Sequence, residues 1–206
     1  MTRSSRSYHH GDLPAALLAA VDDIVRGDGV GAVSIREAAR RAGVSNAAPR
    51  HHFPDKAALL TAYATRGFER LAQRLEEVGD GPDLLLNRGL AYVRFATDEP
   101  GLFSVMFRPE LLHTDDPAYA SAATAAYRPL LEAVRLRRPE LAPDAPEHRD
   151  AALGAWAQVH GFATLWLSGA LEAGTVGRSP EEAAEHALRQ FVAIHGRGRP
   201  PQPGDA

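Results

Sequence analysis

The 206-residue chain has no cysteine, only two methionines and two tryptophans, and no run of 18 uncharged apolar residues. Without cysteine there is no disulfide framework and no thiolate metal site, and a reduced, cytoplasmic setting is expected. Without the apolar run there is no membrane span. The N-terminus, MTRSSRSYHHGDL, lacks an apolar stretch behind its arginines, so it does not read as a signal peptide. No segment alternates apolar and polar residues with a period of two, so no β-sheet is expected. Also missing are a P-loop, a dinucleotide-binding glycine pattern and Gly-x-Ser-x-Gly; WLSGAL (166–171) lacks the first glycine of the last. These absences argue against an enzyme.

What is present is ordinary globular usage, 45% hydrophobic and 24% charged. The net charge of −3 conceals a polarity. Residues 1–75 carry 11 Lys/Arg against 7 Asp/Glu, a balance of +4, and residues 76–206 carry 12 against 19, a balance of −7. One end of the chain is suited to a polyanion and the other is not.

Leu13, Leu17, Ala20, Val21 and Ile24 form one stripe of an amphipathic helix, stopped by Gly27-Asp28-Gly29. A short second helix opens with Ser34-Ile35-Arg36-Glu37, a capping box, and ends at Gly43, which supplies a left-handed residue. A third is expected to begin at Ser45 or Asn46, because Pro49 fits only a first turn, and to end near Phe53-Pro54. A fourth, from Asp55 to Val78, would be roughly 36 Å long. Further helices are predicted over roughly 82–97, 100–107, 116–137, 147–172 and 179–195. The fold class is all-α.

Two short helices joined by a glycine turn, with another packed across them, describe a helix-turn-helix, whose second helix enters the DNA major groove. The composition of the third helix fits that use. Asn46-Ala47-Ala48-Pro49-Arg50-His51-His52 has no large apolar residue; small alanines let the backbone approach, Asn46 suits an adenine edge and Arg50 a guanine or phosphate. Val44 and Phe53 bracket it as core anchors. A solvated polar helix is the plainer alternative.

SIREAARRAGVS (34–45), followed by a short insert and HHFPDKAALL (51–60), resembles the DNA-binding domain of TetR-type bacterial transcriptional repressors. YHHGDLPAALLAA and the later WAQVHGF resemble a subgroup whose C-terminal domain carries a Trp…His-Gly signature, here Trp156, His160 and Gly161. The resemblance implies a homodimer that binds double-stranded operator DNA and releases it on binding a small effector, and the aromatic cluster named below suits an apolar or aromatic one. It implies a helix-turn-helix domain over 8–54, a connecting helix over 55–78 and a helical ligand-binding and dimerisation domain over 79–195. Residues 196–206 are expected to be a disordered tail, although Arg197-Gly198-Arg199-Pro200 also suits an AT-hook.

Carried over by position, Ser34 caps the second helix against a phosphate and Arg36 lies beside the backbone. Ser45, Asn46, Ala47, Ala48, Arg50, His51 and His52 belong to the recognition element, with Asn46, Ala47 and Ala48 facing bases. Lys56 binds phosphate at the start of the fourth helix. Arg50 stands where the family commonly has tyrosine, which leaves the half-site sequence open. The effector pocket is expected among Tyr92, Phe95, Phe103, Met106, Phe107, Tyr127, Trp156 and His160, although a plain hydrophobic core explains the same cluster and His160 alone suits a core histidine. The dimer face is expected on Gly154, Ala157, Gly161, Thr164 and Ser168, with Trp156, Val159, His160, Ala163, Trp166 and Leu167 facing inward. The pairs His9-His10 and His51-His52 are poor chelates, so no metal and no cofactor are expected. A helical enzyme, or a protein that binds partners but not DNA, is the alternative.

Overall fold

A computed structural model of the chain describes residues 13–195, with side chains through residue 190. The expectations for the tail, for the AT-hook and for His9-His10 lie outside the described residues. Within them there are eight α-helices and no β-strand. Contacts divide the chain into two compact units: residues up to Phe68 with Gly101–Ala123, and Glu69–Pro100 with residues from Thr124 onward. The boundaries expected at 54/55 and 78/79 follow motif and helix ends, whereas these units follow the packing of the backbone.

In the first unit, α1 (Leu13–Asp28) buries Leu17, Ala20, Val21 and Ile24 of the expected stripe, with Val25 beside them, whereas Leu13 at its start is half-buried. A 3-10 turn (Val30–Ala32) leads to α2 (Ile35–Ala42). Ser34 Oγ accepts the Glu37 N–H at 3.1 Å. The return half of the expected capping box is not made, because the Glu37 carboxylate is taken by two arginines: Arg40 at 2.6 and 2.8 Å, and Arg41 Nε at 2.9 Å. Gly43 closes the helix at φ 71°, its N–H reaching Arg40 O and the Val44 N–H reaching Ala39 O.

After Pro54 comes α3 (Lys56–Glu76), capped by Asp55, whose Oδ1 accepts the Ala58 N–H at 2.7 Å. Its first half packs in this unit with α5 (Pro100–Met106) and the first residues of α6 (Pro117–Arg137). Two close approaches fix the packing. A Cβ at Gly67 would lie 2.5 Å from Met106 Sδ, and one at Gly101 would lie 2.9 Å from the Tyr63 hydroxyl. That hydroxyl donates to Asp22 Oδ1 of α1 at 2.5 Å. Phe68 meets Phe107 and Tyr119 edge-on.

The second unit contains the end of α3, the rest of α6, α4 (Leu84–Asp98), α7 (Pro146–Leu167) and α8 (Pro180–His195). Gly89 of α4 lets Val159 of α7 and Leu188 of α8 approach, 3.1 and 3.4 Å from where its Cβ would stand. α7 stops at Leu167 and not at 172, because Gly169 adopts φ 75° and turns the chain. Leu167, expected to face inward, is 40% exposed at that end. No helix among the described residues is long and apolar enough to cross a membrane.

Candidate nucleic-acid interface

The element after Gly43 departs from the expected third α-helix. Residues 48–51 form a 3-10 turn of four residues. The reason is Pro49: an α-helix from Ser45 would need the residue-49 N–H to donate to Ser45 O, and proline has none. Ser45 O is satisfied instead by the Ala48 N–H at 3.1 Å, and the pattern continues with Arg50 N–H to Ala47 O and His52 N–H to Pro49 O. The proline is buried and serves, with Phe53, as an anchor. Val44 is half-buried.

Pinned from below, the turn presents Ser45, Asn46, Ala47, Arg50, His51 and His52 to solvent, with Ala48 half-buried. Among the described residues the side chains of Arg36, Asn46, Arg50 and His51 enter no hydrogen bond or ion pair. Neighbouring cations differ. Arg26 is tied to Asp22, Arg40 to Glu37, and Arg41 to both Glu37 and Asp28. The two guanidiniums hold the Glu37 carboxyl down at about 2, so it stays ionised and keeps them engaged. In and around the helix-turn-helix, the cations near Glu37 and the end of α1 are thus engaged, whereas those of Arg36 and Arg50 are left open.

Lys56, the single lysine in the sequence, lies at the first position of α3 and is half-buried. Its ammonium donates to Val30 O and Gly31 O at 3.4 and 3.3 Å, bridging α3 to the turn before α2. An ammonium has three N–H groups, so one remains for a phosphate. Asp55 is held below the usual carboxylate range, first by the Ala58 N–H and then by His113. His113 carried no sequence signal, since 58 residues separate it from Asp55.

The aromatic cluster expected to form a pocket divides between the units. Phe103, Met106 and Phe107 belong to the first and Tyr92, Phe95, Tyr127, Trp156 and His160 to the second. Phe103 stacks edge-on against Phe107 in the first. In the second, the Tyr92 hydroxyl lies 2.8 Å from His160 Nδ1 and accepts from Trp156 Nε1 at 3.3 Å. Tyr127 packs edge-on against Trp156, and the Arg74 guanidinium lies 5.8 Å over the Phe95 ring. Burial pushes Tyr92 well above the usual phenol range and His160 below the usual imidazole value. Along α7 the strip expected at a dimer face is open: Gly154, Ala157, Thr164 and Ser168 are exposed and Gly161 half-exposed. A Cβ at either glycine would meet nothing within 4 Å. No cluster of three potential metal ligands occurs among the described residues.

Comparison with known proteins agrees with this architecture. Residues 17–63, from α1 into α3, match the family of bacterial regulatory proteins known as the tetR family. Residues 85–191, more than half the chain, match the tetracycline repressor-like C-terminal domain. The chain belongs to the TetR family. It is therefore a TetR-family transcriptional regulator, with a DNA-binding head of the helix-turn-helix kind and an all-α fold. Similar solved structures include a protein of unknown function from Rhodococcus sp. RHA1, 31% identical, covering 92% of this chain and 98% of that one with a TM-score of 0.75. A transcriptional regulator from the same organism is 26% identical, with 93% and 100% covered and a TM-score of 0.67. A TetR-family transcriptional regulator from Streptomyces coelicolor shares the fold at 23% identity, with 88% and 81% covered and a TM-score of 0.64. No curated protein matches this TetR-family chain.

Proposed function

We infer that this regulator is a ligand-responsive repressor of the subgroup with the Trp…His-Gly signature, binding a palindromic operator as a cytoplasmic homodimer. The carrying observation is that Arg36, Asn46, Arg50 and His51, on α2 and the turn after it, are exposed and unengaged. Arginine without a carboxylate partner is suited to phosphate or guanine, and an asparagine amide to adenine. Two such heads on a two-fold axis would meet successive major grooves about 34–36 Å apart. The effector reading rests on Tyr92, Tyr127, Trp156 and His160, where the Tyr92 hydroxyl, Trp156 Nε1 and His160 Nδ1 meet among aromatic rings, a composition suited to a small aromatic ligand. The dimer reading rests on the open small-residue strip of α7.

The test is DNA binding by two variants across a salt series. Lys56→Ala should weaken binding to all duplexes alike and reduce the salt slope by about one phosphate. Asn46→Ala should cost about 1–3 kcal/mol at particular bases and relax preference there. If both variants bind every duplex as the parent does, these residues do not form the interface.

A further inference from the structure

We propose that His113, on the segment between α5 and α6, is a positioning residue for DNA binding, fixing the first turn of α3 and with it Lys56. The proposal rests on the head being the DNA-binding surface. His113 Nε2 lies 3.1 and 3.3 Å from the two oxygens of Asp55. A carboxylate only accepts, so the imidazole donates and carries its proton on Nε2. The His113 backbone N–H donates to Thr61 Oγ1 at 2.8 Å, and that hydroxyl donates in turn to Ala57 O at 2.8 Å. Thr61 is 4% exposed, so this second hold is buried. One residue therefore grips α3 at 55 and at 61, and through Thr61 at 57, on both sides of Lys56.

The geometry bears on DNA for two reasons. Asp55 is both the cap of α3 and an anion one residue from the lysine. Without the imidazole N–H it keeps its Ala58 bond but loses the donor that offsets its charge, and would repel the phosphate that Lys56 is to receive. Lys56 itself spans from α3 to Val30 O and Gly31 O, so its reach depends on where that turn sits. The pair adds little to stability, because the two side chains are 49% and 55% exposed. Its effect is expected in binding and not in the melting temperature.

Because the sequence holds one lysine, Lys56 can be followed directly. The full-length protein is treated with an amine-acetylating reagent, with and without a mixed-sequence DNA duplex at low salt, and the peptide bearing Lys56 is quantified by mass spectrometry. Affinity for the duplex and the melting temperature are measured on the same samples. In the parent, DNA should protect Lys56. His113→Ala should bind roughly 3–10-fold more weakly, with a smaller salt slope, weaker protection of Lys56 and an unchanged melting temperature. His113→Gln, whose amide N–H can stand in for Nε2–H, should restore protection and affinity. The proposal is overturned if His113→Ala matches the parent in affinity and protection while Lys56→Ala loses affinity. It is equally overturned if both His113 variants lose affinity and melting temperature together. If the parent binds no duplex, the DNA reading of this head fails first, and the proposal with it.

Discussion

Arg88 Nη1 donates to the Pro129 carbonyl at 2.5 Å, joining α4 to α6 through a residue only 7% exposed. Two further donors are also placed: Nε on Leu75 O at 3.2 Å and Nη2 on Glu132 Oε2 at 3.1 Å. Leu75 lies in the last turn of α3, where carbonyls lack an intrahelical partner and the helix dipole favours a cation. A planar fork serves three helices at once. Arg88→Met keeps the volume but leaves the Leu75 carbonyl at the end of α3 without a donor, and should cost about 1–3 kcal/mol. Arg88→Lys should rescue little, because an ammonium cannot span the same three acceptors. Urea denaturation measures both, and a loss under about 1 kcal/mol for Met would show that water replaces the fork.

The Tyr92–His160 contact makes a pH prediction. Burial lowers His160 relative to an unfolded value of about 6.5. Below that value the unfolded chain binds a proton that the folded chain resists, so stability rises with pH in this window. The contribution is fully present above the unfolded value and is lost as pH falls towards the lowered folded one. Thermal melts of the parent should therefore decline between about pH 7 and 5.5 more steeply than those of His160→Gln. Equal slopes would mean that the imidazole accepts its proton in place.

The dimer proposal rests on one face of α7. Leu153 and Leu165, 54% and 47% exposed, stand on the same side as Gly154, Ala157, Gly161 and Thr164. Large apolar side chains beside glycines that touch nothing suit a surface for close helix approach. Gly161→Leu fits the single chain, since a Cβ there meets nothing within 4 Å, and so should leave the fold intact. It should nonetheless shift the protein to monomers in sedimentation velocity. A tight dimer of this variant would place the interface elsewhere.

How much was legible before the structure follows from how local each cause is. The α1 stripe and the Ser34 cap are set by residues within one or two turns, and both are present as expected. The α-helix expected after Ser45 is absent for a local reason: the N–H that Pro49 lacks is the one its first turn would need, and the element becomes a 3-10 turn. Spacing pairs Glu37 with the Ser34 backbone and cannot show that Arg40 and Arg41 compete for it. The aromatic cluster was drawn from composition, and composition does not say which unit a side chain joins. Phe103 and Tyr92, only 11 positions apart, fall in different ones. His113, Asp55 and Thr61 meet only through tertiary structure.

Gly43 offers the sharpest local test of the head. Its φ of 71° is a conformation that an L side chain adopts with strain. The motif around it is complete: the Gly43 N–H reaches Arg40 O at 3.2 Å and the Val44 N–H reaches Ala39 O at 3.0 Å, so both closing carbonyls of α2 depend on this one residue. A Cβ would meet nothing within 4 Å, so crowding is not the obstacle and the cost is purely conformational. Gly43→Ala should therefore destabilise by about 1–2 kcal/mol. Gly43→Asn should cost less, because asparagine tolerates the left-handed region. If alanine and asparagine are equally tolerated in urea denaturation, the chain leaves α2 by another turn.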